Sequence, residues 1–195
     1  MPVRRVAIPT ATKNQVLEEF RHRCAICGAD KPHLHHIDEN PQNNDPFNIL
    51  PLCPNCHLTD QHNPTERIPA EILRLFRKFK SPAILSPQFR PLFARLRFLS
   101  DVVEVSDAGE LEASAVELAS FVTSLEMGDF YGSKIRDLTK RVRVHVVMFD
   151  LGRGVMTQES KMYSEKKDSE FREALMQHRD EVVALCVELL RYQKW

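Results

Sequence analysis

Leu34 to His57 reads LHHIDENPQNNDPFNILPLCPNCH, and this stretch decides the fold. HLHHI is a short strand-like run, and DENPQNNDP is a loop because Asn, Asp and Pro favour turns over regular structure. NILPLC is a second strand-like run. Pro54 then suits the first turn of a helix through NCHLTD. The spacing therefore predicts strand, loop, strand and helix within about 28 residues. Two histidines, an asparagine and a Cys-x-x-Cys-His unit lie inside that short span.

A second Cys-x-x-Cys pair, Cys24 and Cys27, precedes the stretch, and Cys53 and Cys56 close it. One such turn aims two thiolates at one point, and two turns complete a tetrahedral sulfur shell for a structural Zn²⁺. Four thiolates leave no position open for water. The 25 residues between Cys27 and Cys53 exceed what a simple zinc knuckle needs, and they hold His33, His35 and His36. His57 follows the second pair directly. A separate second metal site accounts for these imidazoles most simply.

The flanking cysteine pairs, LHHI, FNIL and LCPNCH, in that order, resemble the HNH endonuclease family, whose core is a ββα-metal fold. The resemblance covers roughly residues 12–65. It implies that His36 is the general base, that His35 and His57 hold a catalytic divalent metal, and that Asn48 is the structural asparagine of the loop. Many members carry Asp where this chain has His35; two imidazoles suit Ni²⁺, Mn²⁺ or Zn²⁺ better than a pure oxygen site does, and Mg²⁺ is the remaining candidate. It also implies 5′-phosphate and 3′-hydroxyl products. Elementary chemistry agrees with the roles. Adjacent strand residues point to opposite faces, so His35 and His36 divide metal binding and proton transfer between them. An imidazole with a pKa near ~6.5 suits a general base. Through its amide, Asn48 is expected to tie the loop back and keep His36 oriented. His33 shares a strand face with His35 and is expected in a supporting or solvated role. His62 lies five residues past His57, about 140° round an α-helix, and is therefore left out of the site. His22, His145 and His178 read as solvated or packed, and Cys186 as core.

The whole chain of 195 residues has ordinary globular composition, 43% hydrophobic and 28% charged. Its start lacks the apolar run of a signal peptide and nothing approaches ~18 uninterrupted apolar residues, so no membrane span and a cytoplasmic setting are expected. The formal net charge of zero conceals asymmetry. Residues 1–100 carry 14 Lys and Arg against 9 Asp and Glu, a net of +5, and residues 101–195 carry 13 against 18, a net of −5. All twelve prolines lie at or before Pro91. The expected architecture is α+β: a zinc-stapled ββα-metal nuclease module at 1–80, a basic linker at 81–104, and a mainly helical accessory domain at 105–195.

Thr12 and Gln15 form a capping box for a helix over Thr12–Arg23. PAEILRLFRKF reads as an amphipathic helix. RVRVHVVMF fits a strand or a helix. Between Ile72 and Ser100 lie seven basic residues and no acidic one, interleaved with five phenylalanines suited to core or docking contacts. Arg74, Arg77 and Lys78 are the candidates for DNA contacts; the alternative is that the strip pairs with the acidic half. In the last helix Phe171, Leu175, Val182, Cys186 and Leu189 share a side, and further apolar residues widen it. Such a helix needs cover, so a homodimer or a protein partner is expected through residues 111–127 and 168–195. The expected activity is hydrolysis of DNA phosphodiester bonds, with RNA as the other phosphodiester substrate and bacterial defence or phage biology as the setting. The rival is a non-catalytic zinc module that binds nucleic acid or protein.

Overall fold

The computed structural model describes residues 6–63, 67–142 and 158–194. The chain divides into two compact units, 1–87 and 88–195. No described helix is long and apolar enough to cross a membrane.

The first unit opens with α1 (Thr10–Glu19). It begins two residues before the expected cap, because Pro9 (φ −54°, ψ 140°) sets the extended start and its carbonyl accepts from Lys13 N at 2.9 Å. No side chain caps this helix. Arg21 and His22 both take left-handed φ, 53° and 55°, and turn the chain into the first cysteine pair. The two expected strands form. β1 (His33–His36) and β2 (Ile49–Leu52) pair antiparallel, with His35 opposite Leu50 and His36 opposite Ile49. Every residue of β2 is buried. Pro51 is tolerated because the sheet has two strands, and its carbonyl accepts from Ala25 N at 2.7 Å, tying the cysteine turn to the hairpin. A π-helix (Asn55–Gln61) comes next, then α2 (Ala70–Phe79).

The inward face of α2 carries Leu73, Phe76 and, against expectation, Arg77. Arg77 is 2% exposed. Its Nε donates to Ile49 O at 3.1 Å and Pro46 O at 3.2 Å. A terminal nitrogen donates to Pro46 O at 3.1 Å and to Glu19 Oε2 at 2.6 Å. The Phe20 and Phe47 rings lie 5.3 and 5.5 Å from its guanidinium carbon. One side chain therefore joins α1, the 3₁₀ turn Pro46–Asn48, the start of β2, and α2. Arg77 is a structural clamp, not the exposed phosphate contact that its place in the basic strip suggested.

The stretch expected as a basic linker is folded on both sides of the division. Pro82–Leu85 makes a 3₁₀ turn against α2 and buries Ala83 and Ile84. The second unit starts at Gln88, and α3 (Arg90–Leu96) buries Leu92, Phe93 and Leu96. Phe76, Phe89, Phe93 and Phe98 are core residues of their own units, which explains four of the five phenylalanines of the strip. Part of the strip pairs with acids: Lys80 with Glu19 at 2.5 Å, and Arg95 with Glu117 at 3.0 Å.

The second unit is helical. α4 (Ala108–Thr123) is capped by Asp107, whose Oδ1 accepts from Gly109 N at 2.8 Å. Within the stretch 111–127 this helix ends at Thr123, and α5 (Gly128–Thr139) folds back on α4. This hairpin needs its glycines: a Cβ at Gly128 would stand 2.1 Å from Val122 O, and one at Gly132 would stand 2.2 Å from Thr123 Oγ1. α6 (Gln158–Leu189) closes the unit. Phe171, Leu175, Val182, Cys186 and Leu189 are all buried, and so are Val183, Val187 and Leu190. The cover that the apolar helix needs comes from α4, from α5 with Tyr131 and Ile135, and from the 3₁₀ turn Arg97–Leu99, all within the same unit. The apolar width of α6 is therefore not an argument for a second chain. The run RVRVHVVMF lies outside the described residues from position 143 onward.

The clamp predicts a pH signature. Hydrogen bonding to Arg77 and then Lys80 outweighs burial and pulls the Glu19 carboxyl from 4.5 to about 2. A depressed carboxyl stabilises the fold fully above its unfolded value of ~4.5, and that contribution is lost as pH falls toward about 2. Wild type should therefore exceed Glu19→Gln in stability at pH 7, with the gap closing between pH ~4.5 and ~2. Arg77→Met should cost the first unit about 2–4 kcal/mol, since it strands two buried carbonyls and a carboxylate. Urea unfolding read through first-unit amide signals measures both, and unchanged midpoints would refute the clamp.

Candidate metal centre

The four cysteines converge. Their sulfurs all lie within 4.8 Å of one another, close enough for one metal ion. The first pair sits in a turn closed by Gly28 N to Cys24 O at 2.9 Å and Cys24 N to Ala29 O at 2.8 Å. Gly28 (φ 74°) occupies the left-handed position that ends it. The second pair spans the end of β2 and the π-helix, with Cys56 N donating to Cys53 Sγ at 3.5 Å. Burial opposes ionisation of Cys24, yet the backbone N–H groups of Cys27, Cys53 and Ile26 hold its thiol down to about 7. Burial together with the neighbouring sulfurs raises Cys56. A cluster of thiols that cannot all ionise beside one another is a cluster that a cation completes.

A second set of donors lies within the same unit. His35, His57 and His62 bring one ring nitrogen each within 4.8 Å of one another. Ring centroids are 5.1 Å apart for His35 and His57, 5.0 Å for His57 and His62, and 6.1 Å for His35 and His62. His62 therefore belongs to the site from which its spacing excluded it. The physical reason is the π-helix: i→i+5 hydrogen bonding stacks residue 62 over residue 57, whereas α-helical bonding sets them about 140° apart. His33 is exposed, with its ring centroid 6.2 Å from that of His57.

His35 supplies the test of fit. It is 4% exposed, and its Nε2 is buried with no hydrogen-bond partner. Burial first, then the neighbouring His57 and His62 rings, pushes its pKa down to about 4. The imidazole is thus neutral at physiological pH, with a nitrogen facing other imidazoles. Three nitrogen donors leave further coordination positions open on an ion, which four thiolates do not.

His36 points from the other face of β1. Its Nε2 lies 3.1 Å from Asn44 Oδ1. Asn44 Nδ2 donates to Ala7 O at 3.3 Å, which orients the amide oxygen toward His36. His36 Nε2 is then the donor, and Nδ1 keeps the lone pair. As expected, the Asn48 amide is spent on tying the loop back, so it acts on His36 through the loop. Asn48 Nδ2 donates to Asp38 Oδ1 at 2.8 Å and Asn43 O at 3.0 Å, and Asn48 Oδ1 accepts from Asp38 N at 3.1 Å. Asn48 is a positioning residue that fixes the loop bearing Asn44. Asn44 was missed because the run NPQNND offers several equivalent amides, and only the folded loop selects one. Of the candidate DNA contacts, Arg74 and Lys78 are exposed on α2, and Arg77 is the buried clamp.

Comparison with family models, with curated proteins and with solved structures returned no match. What the fold and site define is a class: an α+β chain with a two-stranded hairpin, a four-cysteine cluster able to bind a metal, and a separate three-histidine cluster.

The geometry predicts two separable metal-binding events in a cobalt(II) titration. Cys56→Ser should remove the sulfur-to-cobalt charge-transfer band. His62→Ala should leave that band and weaken the remaining event by at least about 10–100-fold, the scale of losing even an outer-shell partner. Loss of both signals in either variant would show a single mixed site.

Proposed function

We propose that the first unit is a metal-dependent nuclease of the HNH type that hydrolyses DNA phosphodiester bonds. The observation that carries this reading is the three-histidine cluster, with its room for further ligands, beside His36 on the opposite face of the same strand. A module using cysteines only to hold its shape would have no use for a second donor set, a buried unpartnered Nε2, or a histidine oriented by a dedicated amide. The four-cysteine cluster is assigned to structural Zn²⁺, since four thiolates form the closed shell that zinc prefers.

The chain's own residues divide the work. Asn48 freezes the loop through Asp38 and Asn43. The frozen loop presents Asn44, and Asn44 holds His36 in the tautomer whose Nδ1 accepts a proton. His36 takes a proton from the attacking water at that nitrogen. His35, His57 and His62 would hold the divalent cation. When bound, such a cation neutralises phosphate charge and stabilises the leaving oxygen.

Supercoiled plasmid incubated with the full chain and Mg²⁺, Mn²⁺ or Ni²⁺ tests the reading. Cleavage is expected with at least one of them. His36→Ala should lower the rate at least about 100-fold while retaining fold and metal content, because it removes the base and no ligand. An inert wild type, or His36→Ala cutting at the wild-type rate, would reject it. Elemental analysis should find one zinc per chain that Cys24→Ser loses, with stability falling by several kcal/mol; a zinc-free native protein would reject the staple.

A further inference from the structure

Phe47 is 67% exposed, although it sits in the most heavily stitched part of the first unit. The turn around it is closed by Asp45 Oδ1 accepting from Phe47 N at 2.8 Å and by Asn48 N donating to Asp45 O at 2.8 Å. Its ring lies 5.5 Å from the Arg77 guanidinium carbon. An aromatic ring that is both exposed and fixed loses little entropy on binding a flat partner. A single exposed apolar residue needs no explanation in itself. Here, however, the ring forms part of an open groove of about 480 Å³ that also carries Asn48, Arg74, Lys78 and Asp45.

The charges of that groove are informative. Arg77 is neutralised by Glu19 and turned inward. Arg74 and Lys78 are exposed cations on α2. Asp45 is the acid of the groove, and its Oδ1 is engaged with its own turn. Two outward cations beside a fixed π-face match one chemical object: a nucleic-acid strand that offers phosphates and an unstacked base together. A duplex offers the phosphates but keeps its base faces stacked. The groove shares Asn48 with the loop that positions His36. Phe47 is followed by Asn48, and then by Ile49, which pairs with His36.

We infer that Phe47, Arg74 and Lys78 form a subsite for an unpaired DNA strand, with the base stacked on Phe47 and its phosphates on the two cations. This rests on the nuclease reading for its substrate. It narrows that substrate to DNA with an unpaired segment beside the bond to be cut.

The test is binding, so that it does not depend on turnover. Full-length protein carrying His36→Ala is titrated into fluorescent single-stranded DNA, the same sequence as duplex, and the same sequence as RNA, and anisotropy is read. The single DNA strand should bind tightest. Phe47→Leu keeps apolar cover over Arg77 but removes the π-face, and it should weaken that binding by about 5- to 150-fold, the range that base–aromatic stacking spans. Phe47→Tyr should bind as the parent does. Arg74→Ala with Lys78→Ala should flatten the salt dependence by about 1.4 in log–log slope, two phosphates at ~0.7 each. Parental binding by Phe47→Leu, equal losses on single strand and duplex, or preference for RNA overturns the assignment. Phe47-dependent binding by a chain that cuts no DNA sinks the nuclease reading alone. Cleavage with Phe47-independent binding sinks the subsite alone.

Discussion

A buried guanidinium holds the first unit together. An arginine cannot shed its charge, so burial is tolerable only where its donors meet acceptors in the right plane. Arg77 meets Pro46 O, Ile49 O and Glu19 through Nε and one terminal nitrogen, while its other terminal nitrogen is buried without a hydrogen-bond partner. Those two carbonyls lie on either side of Asn48. The clamp therefore grips the turn from which Asn48 reaches Asp38 and Asn43, and through that loop it bears on Asn44 and His36. Its partners come from 58 residues earlier in the chain and from a turn 31 residues earlier. Hydrophobic burial in a unit this small supplies a modest driving force, so a polar joint that spans four elements carries much of the specificity.

The two donor clusters differ in the chemistry they permit. The sulfur set is built on turns, with backbone N–H groups directed at Cys24, and a tetrahedral ion would saturate it. The histidine set is built on a strand, the π-helix and the residue that follows it, and offers three nitrogens within 4.8 Å of one another. The first arrangement suits holding the hairpin to the π-helix after it. The second leaves positions open on an ion it would hold. The cysteines bracket the hairpin in sequence and are tied to it by Ala25 N and Pro51 O, so the same turns that gather sulfurs also set the register that brings His35 toward His57.

The second unit has a different logic. Its helices bury the wide apolar face of α6 against α4, α5 and the turn beyond α3. The close approach of α4 and α5 depends on Gly128 and Gly132, where any side chain would meet backbone or Thr123. Arg172 adds a polar joint, donating to Val102, Val105 and Ser106 carbonyls and so closing the loop before α4. Arg141 bridges Glu112 and Asp168 in the same manner. In both units arginines settle connections that apolar contacts leave open.

Much of the first unit was legible in the residues alone. Two Cys-x-x-Cys turns, two short strands separated by an Asn- and Pro-rich loop, and adjacent histidines on opposite strand faces all arise from local rules, because turn chemistry and strand alternation act over a few residues. The apolar stripe of α6 and the core role of Cys186 were legible for the same reason. Four features were decided by tertiary structure. His62 joined the cluster because the helix after Cys53 adopts π rather than α hydrogen bonding, and local spacing assumes the α period. Arg77 left the surface because its counter-charge, Glu19, lies on another helix, and no window of sequence reports a partner 58 residues away. Asn44 met His36 because the loop's own folding selects among similar amides. The cover for α6 came from α5, whose glycines mark a poor helix in isolation and a necessary one where two backbones nearly touch.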